Sequence, residues 1–367
     1  MQIDKLQYFG FFIMVSVLAF IFTRLVIIFA LSRGIVDRPG EDRKIHKKEI
    51  PLLGGIAIFI SFTLTILSFV VLNKYFFQGY MMPKYIVGLT IAGLILMIGG
   101  YLDDKYNITP LKQVIWPIMA TVVVILSGIG IDQLSNPLGN TLQLNAINIK
   151  LFEINNIPYY FTPIADLFTF IWLMGMMYTT KFLDGLDGLV SGVTIIGAMI
   201  LFFLSLTPQV MQPETALLCI VLAGAFMGFL ILNFNPARIF LGEGGSTYAG
   251  FMLGIMAIIS GGKIATALLI LGIPILDVAW VIMRRLRYKK SPFHSPDKKH
   301  LHHRLLDIGF SHKQAVIFLY VVSSVFGTVA LYTEGKIKLI SLLTLTLFMI
   351  LLTIYLLIKE KKFLKSK

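Results

Sequence analysis

Charge is scarce in this chain, acid is scarcer than base, and cysteine is nearly absent. Only 14% of its 367 residues are charged, against about 25% in soluble globular domains. This deficit excludes an ordinary soluble fold for most of the length and fits segments placed in lipid, where charge is costly. The one cysteine, Cys219, lies inside an apolar run, so an intrachain disulfide and a cysteine-based metal site are both excluded. The 19 acidic residues are outnumbered by 32 Lys and Arg, for a net charge of +13. That excess does not indicate a nucleic-acid partner, because the basic residues lie between apolar runs, where membrane topology accounts for them.

What the chain has instead is apolar length: 57% of it is hydrophobic, with abundant Phe. Runs near 8–31, 53–72, 84–102, 112–131, 164–181, 189–207, 214–232, 246–260, 264–283, 315–332 and 338–358 approach the ~20 residues that a span requires. The expected fold is all-α: a polytopic membrane protein of about 11 (10–11) transmembrane helices, in one domain over 1–367 without internal repeats. The eighth run is short and Gly-rich. The first is too long for a signal peptide and has no small-residue cleavage site, so it reads as a retained helix.

Lys and Arg set the orientation. With the N-terminus outside, segments 32–52, 103–111, 182–188, 233–245 and 284–314 and the tail after 358 fall inside. Segment 32–52 carries Arg33, Arg38, Arg43, Lys44, Lys47 and Lys48, and 284–314 carries Arg284, Arg285, Arg287 and further basic residues. Outer segments hold scattered lysines such as Lys5, Lys74, Lys150 and Lys336. This bias predicts a multi-pass cell-membrane protein with a cytoplasmic C-terminus. Segment 132–163, the longest outer one, reads as a small external hairpin from its alternating stretches at 142–144 and 147–151.

The polar residues sort to one side. All six histidines fall on the inner segments, with the paired carboxylates Asp103–Asp104 and Asp184–Asp187 and with Glu243. A transporter would keep ionisable groups near mid-membrane; a surface enzyme with one soluble and one lipid substrate collects them at an interface. Asp103-Asp104-Lys105 can hold a hard cation and a phosphate together, though a helix end facing water would read the same. In Asp184-Gly185-Leu186-Asp187-Gly188 the carboxylates are three apart and share a helical face, which suits Mg²⁺. The glycines around Glu243 at a helix start can present N–H groups to an anion, as an ordinary turn also would. His300-Leu301-His302-His303-Arg304, in the 284–314 His-containing loop, is matched better by phosphate contacts than by zinc, with no cysteine nearby. Asp277, within the ninth run, supports that site from behind or pairs with a basic residue.

Together these motifs resemble the polyprenyl-phosphate N-acetylhexosamine-1-phosphate transferases, glycosyltransferase family 4, and within it the undecaprenyl-phosphate UDP-GlcNAc-1-phosphate branch. Val36-Asp37-Arg38-Pro39, Arg43-Lys44-Ile45-His46 and Ile50 to Gly55 look like the family's first inner loop. Asp103-Asp104-Lys105 matches its paired aspartates, Phe182 to Leu189 its Asp-Gly-x-Asp-Gly-Leu motif, and Asn233 to Ser246 its Asn-x-x-Pro-Ala through Gly-Asp-x-Gly-Ser segment. Ser295-Pro296-Asp297 and His300 to Leu305 resemble the histidine motif of the UDP-GlcNAc branch. There are two departures: members carry Asn where this chain has Lys181, and Asp where it has Glu243.

The resemblance implies that a UDP-N-acetylhexosamine gives its sugar phosphate to a polyprenyl phosphate, releasing UMP, at the cytoplasmic face of the membrane. It implies Mg²⁺, with Mn²⁺ as a substitute, on Asp184, Asp187 and Glu243. Asp103, Asp104, Asp184, Asp187, His302 and His303 are the expected catalytic residues. Asp37, Lys44, His46, Lys105, Lys112, Asn233, His300 and Arg304 are expected to bind substrate. A homodimer is the assembly it implies. Two rival expectations are the UDP-MurNAc-pentapeptide transferase of the same chemistry, and a transporter or non-catalytic lipid-binding member.

Overall fold

The computed structural model describes residues 3–39, 48–73, 76–134, 141–154, 157–261, 264–287 and 300–365. Every apolar run is helical. In chain order the helices are α1 (Lys5–Ser32), α2 (Gly54–Leu72), α3 (Pro83–Tyr106), α4 (Pro110–Gln113), α5 (Ile115–Leu126), α6 (Pro163–Leu183) and α7 (Leu189–Ser205). They continue with α8 (Pro213–Asn233), α9 (Gly242–Ile259), α10 (Ile264–Ile270), α11 (Gly272–Arg287), α12 (Leu301–Asp307), α13 (His312–Tyr332) and α14 (Gly335–Lys365). Proline opens α3, α4, α6 and α8, where its missing N–H breaks no intrahelical bond. A Ser311–Gln314 capping box starts α13.

Among the described residues six helices are long and apolar enough to cross a bilayer: α1, α2, α3, α8, α13 and α14 as far as Leu356. The pair α10–α11, bent by 80°, makes a seventh if it is one broken span. The eleven runs are therefore all helical, but fewer meet both criteria. Asp166 and Lys181 dilute α6, Glu243 and its glycines dilute α9, and α7 and the α4–α5 stretch are short.

The core runs along α8 and α9. Helix α8 packs against α1, α2 and α7, and α9 packs against α3 and α6. Outside it, α1 turns Phe9, Ile13, Val17, Ile21 and Ile28 outward, and α14 does the same with Leu343, Leu347, Leu351 and Ile358. In water such stripes would be a liability; in lipid they face their own solvent. Glycines set the closest approach. A Cβ on Gly55 would lie 2.3 Å from Gly245 Cα, and one on Gly100 would lie 2.3 Å from Gly244 N. Helices α2 and α3 thus meet α9 backbone to backbone.

The strands are short. β1 (Val36–Asp37) pairs antiparallel with β2 (Ile50–Pro51) and closes the base of the connection between α1 and α2. Between α5 and α6 the expected single hairpin is instead two ladders. β3 (Gln133–Leu134) pairs with β4 (Leu142–Gln143), and β5 (Ile149–Ile154) pairs with β6 (Ile157–Phe161). The stretch at 147–151 therefore pairs forward with 157–161 rather than back with 142–144.

Candidate active site

Polar residues at the ends of α3, α4, α6 and α8 and at the starts of α7 and α9 are hydrogen-bonded into two networks, and Asp184 lies near carboxylates of both. Asp103, in the last turn of α3, accepts from Gln113 Nε2 at 2.8 Å, and the same nitrogen donates to the Ile108 carbonyl at 3.0 Å. Gln113 Oε1 accepts from Lys181 Nζ at 3.0 Å, and Lys181 is ion-paired with Glu243. A continuous polar chain therefore runs Asp103–Gln113–Lys181–Glu243 across four helices. The two departures from the family pattern, Lys181 and Glu243, are the two halves of one ion pair.

The Asp-Gly-Leu-Asp-Gly turn between α6 and α7 is not helical, so its two carboxylates do not share a helical face as expected. Asp184 caps α6, and Gly188 stands at φ 80°, a left-handed conformation that favours glycine. Asp187 is turned into the protein: its Oδ2 accepts from Asn235 Nδ2 at 2.8 Å and from Ala237 N at 3.1 Å, and its own N–H donates to His312 Nε2 at 2.8 Å. Tyr320 donates to the Gly188 carbonyl. Asp187 thus ties three segments together, leaving Asp184 as the exposed carboxylate of the turn.

The glycine-rich start of α9 differs from the anion-binding expectation. Asp104 Oδ1 accepts the Glu243 N–H at 3.0 Å, and Gly55 and Gly100 cover the backbone of Gly245 and Gly244. The helix dipole is satisfied from within the chain. Asp104, expected to be catalytic, is a helix cap whose Oδ2 has no hydrogen-bond partner among the described residues. Asn233, expected to bind substrate, is buried, and its amide is committed at both ends: it accepts from Ser191 Oγ at 2.9 Å and donates to the Ile239 carbonyl at 2.9 Å. These bonds hold the start of the 234–241 loop.

The histidine segment packs beside this turn. Asp277 Oδ2 lies 2.8 Å from His300 Nδ1, and its Oδ1 accepts the Leu301 N–H at 2.9 Å. Asp277 thus pairs with the His300 ring and holds the start of α12, which joins the two expected roles. His300 stacks between Phe182 and His302. His302, expected to touch phosphates, is only 2% exposed, and a Cβ on Gly185 would lie 2.2 Å from its Nε2. It is the floor under the turn. Burial holds its imidazole well below the usual value, hence neutral at pH 7. His303 is half-buried and Arg304 is buried.

Asp37 lies in β1, half-buried. Lys105 is exposed between the rings of Tyr101 and Tyr106, and Lys112 is exposed on α4. Lys44 and His46 lie outside the described residues. Gln113 and His312 were not among the expected site residues, and Asp277 was expected only as a support of the site or as the partner of a basic residue. Asp277 had a signal, an acid within an apolar run, and His312 shared the inner side with the other histidines. Gln113 had none, since an amide four residues beyond Thr109 looks like any helix surface.

The Asp184 side chain is exposed at the α6–α7 turn. Desolvation against the turn, with the nearby Glu243 and Asp187 carboxylates, pushes its carboxyl up to about 7. Screening by the solvent it touches reduces what that shift contributes to stability. Burial also pushes Glu243 up, opposed by Lys181. Between the ordinary carboxyl value of 3.8 and about 7, the folded chain binds a proton that the unfolded chain has lost. Stability is therefore lost as pH rises through that window. Asp184→Asn is expected to unfold at a higher temperature than the parent above pH 7, with the gain vanishing near pH 4. Thermal exposure of the buried Cys219 to a thiol-reactive dye reads this directly.

A metal site needs carboxylate lone pairs converging on one point. Asp187 Oδ2 already accepts two hydrogen bonds, Glu243 is held by an ammonium, and among the described residues no three His, Cys, Asp or Glu are placed to share an ion. The expected Asp184–Asp187–Glu243 set does not fit Mg²⁺ or Mn²⁺ as arranged.

An apolar helical bundle with carboxylates, a lysine and imidazoles gathered where its helices end is the arrangement of a multi-pass membrane enzyme working where lipid meets water. Comparison with known proteins narrows the class. The description "Glycosyl transferase family 4" matches residues 86–261. The chain is 31% identical over 332 residues to a decaprenyl-phosphate N-acetylglucosaminephosphotransferase of Mycolicibacterium smegmatis, covering 83% of this chain and 77% of that one. It is 29% identical over 349 residues to a probable undecaprenyl-phosphate N-acetylglucosaminyl 1-phosphate transferase of Bacillus subtilis, covering 94% and 89%. It is 27% identical over 357 residues to the undecaprenyl-phosphate alpha-N-acetylglucosaminyl 1-phosphate transferase of Escherichia coli K12, covering 92% and 88%. The chain belongs to glycosyl transferase family 4.

Proposed function

We propose that this protein transfers N-acetylglucosamine-1-phosphate from UDP-N-acetylglucosamine to a polyprenyl phosphate in the cell membrane, releasing UMP at the cytoplasmic face. The relatives named for this transfer support the reaction, and the Lys and Arg bias of the inner segments supports the orientation. The observation that carries the reading is the convergence of Asp103, Lys181, Asp184, Glu243 and the histidine segment at one end of an apolar bundle.

An oxygen of the lipid phosphate attacks the sugar-bearing phosphorus, the bond between the two phosphates of the donor breaks, and UMP leaves with the bonding electrons. The lipid phosphate is largely doubly ionised at neutral pH, given a second pKa of about 6. Positioning and charge neutralisation therefore matter more than a strong base. Lys181 supplies positive charge within the recess. Asp103, fixed by Gln113, orients the acceptor. Asp184, close to its titration point at neutral pH, is poised to share a proton with an incoming phosphate oxygen. His300 and His302 shape the wall behind it.

Purified protein given UDP-N-acetylglucosamine and undecaprenyl phosphate is expected to release UMP and form a lipid-linked diphospho-sugar. Asp103→Ala and Asp184→Ala should lower the rate by about 100-fold or more, the usual effect of losing a group that acts on the transition state. Transfer from UDP-MurNAc-pentapeptide alone would overturn the sugar assignment.

A further inference from the structure

The cation position at Glu243 is already taken. Lys181 leaves the last turn of α6 one turn before Asp184, and its ammonium contacts the Glu243 carboxylate and Gln113 Oε1. Gln113 passes the contact on to Asp103. The ammonium also lies 5.6 Å from the centre of the Tyr178 ring, which favours a positive charge there. The side chains of Lys181 and Glu243 are only 20% and 19% exposed, so water screens the pair weakly. A Mg²⁺ ion binds carboxylate oxygen at ~2.0–2.1 Å. On Glu243 it would stand within a few ångströms of the lysine nitrogen, and like charges that close in a partly dry recess repel strongly. A lysine can move only by vacating Gln113 and Glu243 together.

We infer that the Lys181 ammonium is the resident cation of this site: it neutralises Glu243, presents positive charge to the donor diphosphate, and replaces a divalent ion on Glu243, so that transfer does not require one. The inference rests on the proposed transfer reaction. It also accounts for why residues 181 and 243 depart from the family pattern together. A lysine introduced beside a carboxylate-held metal would expel it, whereas a lysine paired with a longer carboxylate is self-sufficient. The extra methylene of Glu243 over Asp helps the pair to close across α6 and α9.

The test uses the full-length protein in detergent. Mn²⁺ titration followed by electron paramagnetic resonance is expected to find no saturable micromolar site in the parent. Lys181→Met should let Mn²⁺ bind, more weakly, at the freed Glu243 carboxylate, and adding Glu243→Gln should remove that binding. UMP release by the parent should persist in excess EDTA. Release by Lys181→Met should fall by about tenfold or more in EDTA and recover when Mg²⁺ is added, as expected when one electrostatic stabiliser substitutes for another. A lysine with only a packing role would lose rate equally with and without the ion. Two results overturn the inference: a stoichiometric Mn²⁺ site in the parent that Glu243→Gln abolishes, or loss of parental UMP release in EDTA with recovery in Mg²⁺. Failure of every variant to release UMP under any condition would instead reject the transfer reaction, and the Mn²⁺ titration would still decide which cation occupies the site.

Discussion

Replacing Asp187 with alanine is expected to destabilise the protein and abolish transfer together. The Asp187 carboxylate accepts from Asn235 and Ala237, and its backbone donates to His312, so one residue joins the α6–α7 turn, the 234–241 loop and the start of α13. Alanine leaves two half-buried donors without their charged acceptor. Hydrogen bonds to a charged group contribute ~1.5–3 kcal/mol each and are not additive, so a loss of about 2–4 kcal/mol is expected. Asp187→Asn keeps an acceptor oxygen and should retain more of the stability. The unfolding temperature read at Cys219, measured beside UMP release, checks both effects. Asp184→Ala should separate them, losing transfer while folding at least as well as the parent. A folded, fully active Asp187→Ala protein would show that the turn is not held as described.

Gly100→Ala should be nearly as damaging although it adds one methyl group and removes no charge. Its Cβ would stand 2.3 Å from Gly244 N and 2.4 Å from Gly244 Cα. Both are backbone atoms, so no side chain can turn aside. Helix α3 must move away from α9, which carries Asp103 and Asp104 away from Glu243 and breaks the cap on α9. Overpacking of this kind costs about 1–3 kcal/mol or more, and displacement of groups that act together costs much more in rate. Gly175→Ala is the matched control. That glycine lies in α6 with nothing within 4 Å of the added methyl, so alanine should be neutral or stabilising by about 0.5–1 kcal/mol through helix propensity. Equal behaviour of the two variants would remove the close helix contact from the account.

The sequence by itself determined the membrane and the helices, and it gathered the chemistry-bearing residues into the segments between apolar runs. Low charge and repeated apolar runs leave the backbone no way to satisfy its polar groups in lipid other than as helices. The clustering of acidic and histidine motifs between the runs also survives any folding, because chain order and helix alternation carry it. Roles within the cluster were not legible. Asp103 and Asp104 are adjacent letters, yet the helix turns them about 100° apart, one toward Gln113 and the other beneath Glu243. Asp184 and Asp187 read as twins until the turn left one open and buried the other under Asn235 and Ala237. His302 reads as a ligand, and packing against Gly185 makes it a wall. Lys181 and Glu243, 62 positions apart, read as two separate anomalies. Only the approach of α6 to α9 made them one ion pair, because a charge in a weakly screened recess takes its partner from whatever the fold brings near, not from its neighbours along the chain.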